Sequence, residues 1–181
     1  MVKVLVCLAQ GFEETEAILP IDILRRSGME VDVAGVDSLE IVGSHNIKIV
    51  CDLEISDANE VYDVIVLPGG MPGSTNLANS FEVIKRIINT SQKGFVCALC
   101  AAPAIVLANT GLLDERKATC YPSMEKVAPS INFTHDKRCI VDTRIITAQG
   151  AGVAEEFALA IVKEVLGNQK MLEIKKSFIA R

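Results

Sequence analysis

Five short apolar runs, separated by stretches with helical spacing, constrain the fold of this chain more than any other feature. Residues 2–9 (VKVLVCLA), 29–36 (MEVDVAGV), 62–67 (YDVIVL), 94–99 (GFVCAL) and 144–148 (RIITA) are rich in Val, Ile, Leu and Ala and carry few charges. Strands buried on both faces read this way, as in a parallel sheet. A helix is expected over residues 13–27, with Ile18, Leu19, Ile23 and Leu24 as its apolar stripe and Gly28 as its C-cap. Pro20 lies inside that span and should kink the helix or break it near residues 15–17. Further helices are expected over residues 81–92, with Asn79 and Glu82 spaced as a capping box, from 101 to 109, and over 153–166 and 168–177. Residues 39–42 and 47–51, around Gly43-Ser44-His45-Asn46, suggest a β-hairpin appended to the sheet. Residues 116–142 hold short strand-like pieces without a clear phase. The alternation of strand and helix predicts an α/β fold in one domain, residues 1–181, with a doubly wound, mostly parallel sheet covered by helices on both faces. In such sheets ligands sit beyond the carboxyl ends of the strands, near the point where strand order reverses. Three strand exits are therefore candidates for one site: residues 11–16, 68–70, and Cys100.

The chain has 181 residues, half of them hydrophobic, which excludes an intrinsically disordered polymer. Its 18 Lys and Arg against 23 Asp and Glu give a net charge of −5. That balance argues against sequence-independent binding to nucleic acid, which needs a basic face. No apolar stretch approaches the ~20 residues needed to cross a bilayer, so no membrane partner is expected. Six cysteines (Cys7, Cys51, Cys97, Cys100, Cys120 and Cys139) invite a disulfide reading. The N-terminus, however, runs straight into a strand rather than a secretory signal, which points to the cytoplasm and reduced thiols. Most of these cysteines are then expected to be small buried hydrophobes.

Ala98-Leu99-Cys100-Ala101-Ala102 resembles a nucleophile elbow, a sharp strand-to-helix turn with small residues two before and two after the nucleophile. Pro103 fits the first helical turn, where a missing N–H costs little. At such a helix start the thiol of Cys100 is expected to have a lowered pKa. Backbone N–H groups of Ala101 and of the Gly69-Gly70 turn would form an oxyanion-hole-like pocket beside the sulfur. The competing interpretation is a packing cysteine that happens to follow a strand. Cys97 and Cys100 also spell C-x-x-C, but zinc would require a second pair, and Cys97 lies within the strand, so no metal site is expected. Glu13 and Glu14 read as a solvated helix start. Glu16 adjoins the apolar face at Ala17, where burial beside a thiolate would raise its pKa and let it donate a hydrogen bond to the Cys100 sulfur and shuttle a proton for substrate. The two histidines, His45 and His135, both fall in polar loops and read as exposed. No glycine-rich nucleotide fingerprint follows any strand, so no cofactor is expected.

Several segments together carry a resemblance: Gly11-Phe12-Glu13-Glu14-Thr15-Glu16, Leu19-Pro20-Ile21-Asp22 with Arg25-Arg26, Leu67-Pro68-Gly69-Gly70, residues 98–103, and Gln149-Gly150 through residues 157–160. In that order and spacing the chain resembles the ThiJ/PfpI (DJ-1) superfamily, in its DJ-1 branch, over essentially its whole length. The resemblance implies a flavodoxin-like, class I glutamine-amidotransferase-like sandwich that forms a homodimer. It also implies an easily oxidised Cys100 with a protonated Glu16 donating to it, and Gly70 and Ala101 as backbone donors. Members are described as glutathione-independent glyoxalases, as deglycases of glycated protein, as oxidative-stress sensors and as chaperones. One departure stands out. Many relatives carry a histidine in a Thr-His-Pro-like segment, and here that segment is Thr119-Cys120-Tyr121-Pro122, so Tyr121 stands in the histidine's place. A phenol does not act as a base at neutral pH as an imidazole does, which weakens a Cys-His protease mechanism. Cys120 beside it is a candidate second thiol near the pocket.

The expected function is therefore a cofactor-free, cysteine-dependent conversion of methylglyoxal-type 2-oxoaldehydes, or of their protein adducts. The alternative is a redox-sensing regulator or chaperone whose Cys100 oxidises to sulfinic acid.

Overall fold

The computed structural model describes residues 1–180; Arg181, the last residue of the expected domain span, lies outside them. Seven strands form one sheet in the order β5-β2-β1-β6-β7-β9-β8. They are β1 (Lys3–Leu8), β2 (Glu30–Gly35), β5 (Leu53–Glu54), β6 (Val64–Leu67), β7 (Phe95–Leu99), β8 (Cys139–Asp142) and β9 (Ile145–Ala148). Every neighbouring pair is parallel except β8 with β9. Strand alternation divides the interior into two cores. Val4, Val6 and Leu8 of β1 point into the layer formed by α1 (Glu14–Arg26), α5 (Ala154–Leu166) and α6 (Asn168–Ser177). Leu5 and Cys7 point into the opposite layer, with α2 (Gly73–Asn79), α3 (Phe81–Ser91) and the short α4 (Ala102–Ile105). The doubly covered, mostly parallel sheet is the expected one.

Chain order reverses between β1 and β6, which pair through Val4–Val64 and Val6–Val66. The first strand leads outward to β2 on one side, and β6 leads outward to β7 on the other. The exits of β1, β6 and β7 therefore converge at the switch point, where a sheet of this kind opens a crevice.

Several local expectations differ from the structure. Helix α1 runs unbroken through Pro20. The ring removes one backbone bond, a loss of about 3 kcal/mol in a helix interior. Burial of Ala17, Pro20, Ile21, Ile23 and Leu24 on one face offsets it. The cap of α3 is Ser80, whose hydroxyl accepts the Val83 N–H at 3.4 Å, because Asn79 is already the last residue of α2. The stretch 101–109 is only a four-residue α4, followed by a 3₁₀ turn over Leu107–Thr110 that ends at left-handed Gly111. The hairpin, β3 (Glu40–Val42) and β4 (Lys48–Val50), is a separate two-stranded sheet rather than an extension of the main one. It is tied across to the first strand exit by the Gly11 N–H to the Val42 carbonyl at 2.8 Å. Among the described residues no helix is long and apolar enough to cross a membrane.

Candidate functional site

Cys100 follows β7 with φ of +61°, in the left-handed region that costs an L-residue roughly 1–2 kcal/mol. The strain is held by pairing on both sides. The Cys100 N–H donates to the Ala148 carbonyl at 2.9 Å, and the Cys100 carbonyl accepts the Tyr121 N–H at 2.8 Å. Ala98, Ala101 and Ala102 are all buried, and each leaves the room that a larger side chain would take. The geometry is that of a nucleophile elbow. Cys100 itself is only partly exposed, whereas Cys7, Cys51, Cys97 and Cys120 are buried, and all six thiols are free.

Glu16 reaches this elbow from the first turn of α1. Its own N–H is accepted by the Glu13 carboxylate at 2.7 Å, an N-cap that sets the orientation of the turn. Its carboxyl is 1% exposed and accepts the Gly69 N–H at 2.8 Å. It also bonds with the Cys100 side chain and with the Ala151 backbone. Gly69 owes its identity to this crowding. A Cβ there would lie 2.6 Å from both Cys100 Cβ and Glu16 Oε2. Gly70 completes the turn with φ of +91°, and the Gly69 carbonyl accepts the Glu13 N–H at 2.9 Å.

Burial holds the Glu16 carboxyl at about 7, well above the usual carboxylate range, although the bonds from Cys100 and Gly69 pull the other way. The expected lowering of the Cys100 thiol by a helix terminus is not found. Burial and the neighbouring Glu16 charge push the thiol up, and the Gly70 and Ala101 N–H groups only partly offset them. The two side chains are close enough to titrate as a coupled pair. When the proton moves from the sulfur to Glu16, the thiolate faces the backbone N–H groups of Gly70 and Ala101.

Of the residues singled out from sequence, Cys100, Glu16, Gly69, Gly70 and Ala101 meet in one place. Tyr121 stands at its edge, half-exposed, with its ring within van der Waals reach of a Cβ placed on Gly150, which Glu16 Oε1 also approaches. Cys120 instead groups with Glu125 and His135. Cys97 lies fully buried within β7 near Cys139, so the C-x-x-C spacing joins no dithiol. Glu14 is not solvated as expected. It is buried and accepts from the His45 N–H at 2.7 Å and the Ser44 hydroxyl at 3.3 Å, with the His45 ring 2.8 Å away. It thus latches the hairpin turn to α1. Sequence reasoning missed the Glu13 cap, though its three-residue spacing from Glu16 is a legible cap signal. It also missed the Ala151 contact, for which no signal exists. Surface clefts of 620 and 680 Å³ lie elsewhere, one lined by Gln10, Asp37 and Asn76 and the other by Arg138, Glu155 and Lys163.

A sequence profile of the DJ-1/PfpI family matches residues 2–164. Protein DJ-1 homolog B of Arabidopsis thaliana is 38% identical over 183 residues, which cover 99% of this chain and 42% of that protein, so the chain spans less than half of that longer relative. The glutathione-independent glyoxalase DJR-1.2 of Caenorhabditis elegans is 34% identical over 167 residues, covering 91% of this chain and 88% of that one. The solved structure of an oxidized DJ-1 from Toxoplasma gondii superposes with a TM-score of 0.95 at 35% identity, covering 99% of both chains.

Proposed function

The chain belongs to the DJ-1/PfpI family, and from that premise we propose that it is a cofactor-free, glutathione-independent enzyme acting on methylglyoxal-type 2-oxoaldehydes. The observation that carries this reading is the shared pocket of Cys100 and Glu16, a nucleophile beside a carboxyl held near 7. An acid–base group is most effective when its pKa lies near the working pH.

The sulfur of Cys100 attacks the aldehyde carbon, the S–C bond forms, and the carbonyl oxygen takes the proton from Glu16 to give a hemithioacetal. The N–H groups of Gly70 and Ala101 stabilise the charge that develops on oxygen. Glu16, now a carboxylate, removes the proton from the former aldehyde carbon. The resulting enediol is reprotonated on the adjacent carbon, which leaves a thioester of the 2-hydroxyacid. Water hydrolyses the thioester and restores the thiol, so the net reaction adds one water to the oxoaldehyde. The same steps open to an adduct on protein would make a deglycase. The name of the nematode relative supports the glyoxalase version.

Lactate formation from methylglyoxal by purified protein, without glutathione, tests the proposal; undiminished turnover in Cys100→Ala would sink it. The reading includes a homodimer, as the family resemblance implies, to be measured by light scattering of the purified chain.

A second reading is favoured by the exposure pattern: Cys100 is partly open while four of the other five thiols are buried. The protein would then sense peroxide through stepwise oxidation of Cys100 to sulfenic and sulfinic acid. Mass spectrometry after graded peroxide should find dioxidation at Cys100 before any other thiol. Equal oxidation of Cys139 would remove the selectivity that sensing requires.

A further inference from the structure

Cys120, the chain neighbour of Tyr121, belongs to a second group of side chains that the proposed reaction does not use. The sulfur of Cys120, a carboxylate oxygen of Glu125 and a ring nitrogen of His135 all lie within 4.8 Å of one another. We propose that these three residues form a binding site for a thiophilic divalent cation, with zinc as its natural occupant.

The juxtaposition is built into the backbone. Ala118 and Phe133 form a parallel bridge, and the Thr134 N–H donates to the Ala118 carbonyl at 2.9 Å. Two residues on from each bridge partner come Cys120 and His135, and a two-residue step in extended chain returns to the same face. Ser123 then turns the chain through a left-handed φ of +79° into the 3₁₀ turn Met124–Val127, which brings Glu125 across to the same spot. Gln149 fixes the far side, its amide donating to the carbonyls of His135 and Lys137 at 3.4 and 3.3 Å.

The distances suit a tetrahedral ion. Zinc bonds of about 2.0–2.1 Å to nitrogen and about 2.0–2.2 Å to oxygen place the two ligand atoms roughly 3.3–3.5 Å apart. His135 Nε2 and Glu125 Oε2 stand 3.3 Å apart. Sulfur, with a bond of about 2.3 Å, needs a separation near 3.6 Å from each. It has to close from no more than 4.8 Å. The donor set of thiolate, imidazole and carboxylate is one that zinc accepts, with a fourth position left to water. Cys120 lies fully buried beneath, while Glu125 and His135 remain about one-third exposed, so an ion has a way in. On binding, the thiol gives up its proton to solvent.

A second cluster of similar composition, Glu13, Glu14 and His45, serves as a turn anchor, with both oxygens of Glu14 accepting from His45, Ile47 and Ser44. Glu125 likewise accepts backbone N–H groups, its own and that of Ser123, so an ion binds there in competition with those donors.

Titration of the metal-free protein with Co²⁺ tests the proposal, because a bound thiolate gives a cobalt–sulfur charge-transfer band and tetrahedral cobalt gives intense visible absorption. The expected result is one equivalent bound per chain, displaced by Zn²⁺. The bands should vanish in Cys120→Ser. In His135→Gln, an exposed and conservative change that leaves the fold intact, affinity should fall at least tenfold, since loss of even an outer-shell partner costs ~10–100-fold. Cys100→Ala should bind as wild type. Absence of the thiolate band in wild type, or bands that survive Cys120→Ser or disappear in Cys100→Ala, would overturn the assignment and leave His135 and Glu125 as a surface ion pair.

Discussion

Glu16 Oε2 and the Gly69 N–H lie 2.8 Å apart, and the side chain that Gly69 lacks would occupy the space between that oxygen and Cys100 Cβ. One position thus holds a donor to the carboxylate and a void beside the thiol. Gly69→Ala should force one of the two groups aside, with a loss of stability of about 1–3 kcal/mol from overpacking. Turnover of methylglyoxal should fall by more than the stability change alone explains. Steady-state kinetics and urea unfolding of the same variant separate the two effects, and a variant as active as wild type would show that the close approach is not needed.

The Glu16 carboxyl also predicts a pH dependence of folding. Its folded pKa of about 7 stands above the value of 4.5 expected in the unfolded chain. Between those values the native state binds more protons than the unfolded state, so stability falls as pH rises through the window. The loss is on the order of 3 kcal/mol by pH 8. Glu16→Gln cannot ionise, so the fall in its unfolding free energy across the same range should shrink to the smaller contribution of His45, whose pKa is raised by its bond to Glu14. Denaturant midpoints measured at closely spaced pH values decide the matter.

Glu14 predicts the opposite limb. Burial pushes its carboxyl up, but the side-chain and backbone bonds from His45 and the Ile47 N–H outweigh it and hold the pKa at about 2. A depressed folded value contributes stability above about 4.5 that is lost as pH falls towards 2. Glu14→Gln should lose about 1–3 kcal/mol at neutral pH, since it weakens charged bonds to a buried group. Hydrogen exchange at residues 43–47 should rise in that variant before the rest of the chain is affected.

The left-handed backbone at Cys100 is open to test with paired variants. Both Cys100→Gly and Cys100→Ala remove the thiol, but only glycine adopts a φ of +61° without steric cost. Cys100→Gly should therefore be the more stable of the two by about 1 kcal/mol, after its larger unfolded-state entropy is set against the relief. Equal thermal midpoints would mean that the elbow relaxes when the sulfur is removed.

The parts of this molecule that sequence pattern exposes are those with one dominant local cause. Short apolar runs with few charges marked β1, β2, β6, β7 and β9, and small flanking residues marked the elbow at Cys100. Less was visible where the cause is tertiary. The two-residue β5 and the antiparallel β8 form only because a neighbouring strand offers them a ladder. Helix α2 begins at Gly73, after Pro72 and with two residues between it and the Pro68-Gly69-Gly70 turn, in a segment of weak helix formers that packs Leu77 into the core. Glu14 and Glu16 illustrate the limit for a site. Two acids, two positions apart, are both buried, yet one latches a hairpin and the other meets a thiol, and only the folded chain distinguishes them.

The two edges of the sheet bear on how copies of this chain can meet. At one margin stands β5, two residues long, and at the other β8, four residues long and preceded by Lys137 and Arg138. Neither offers a long, flat row of free amide and carbonyl groups, and strand-to-strand accretion needs such a row. Strand-to-strand accretion at the margins of the main sheet is therefore disfavoured, and its apolar interior strands remain sequestered from the cross-β stacking that their composition would otherwise invite.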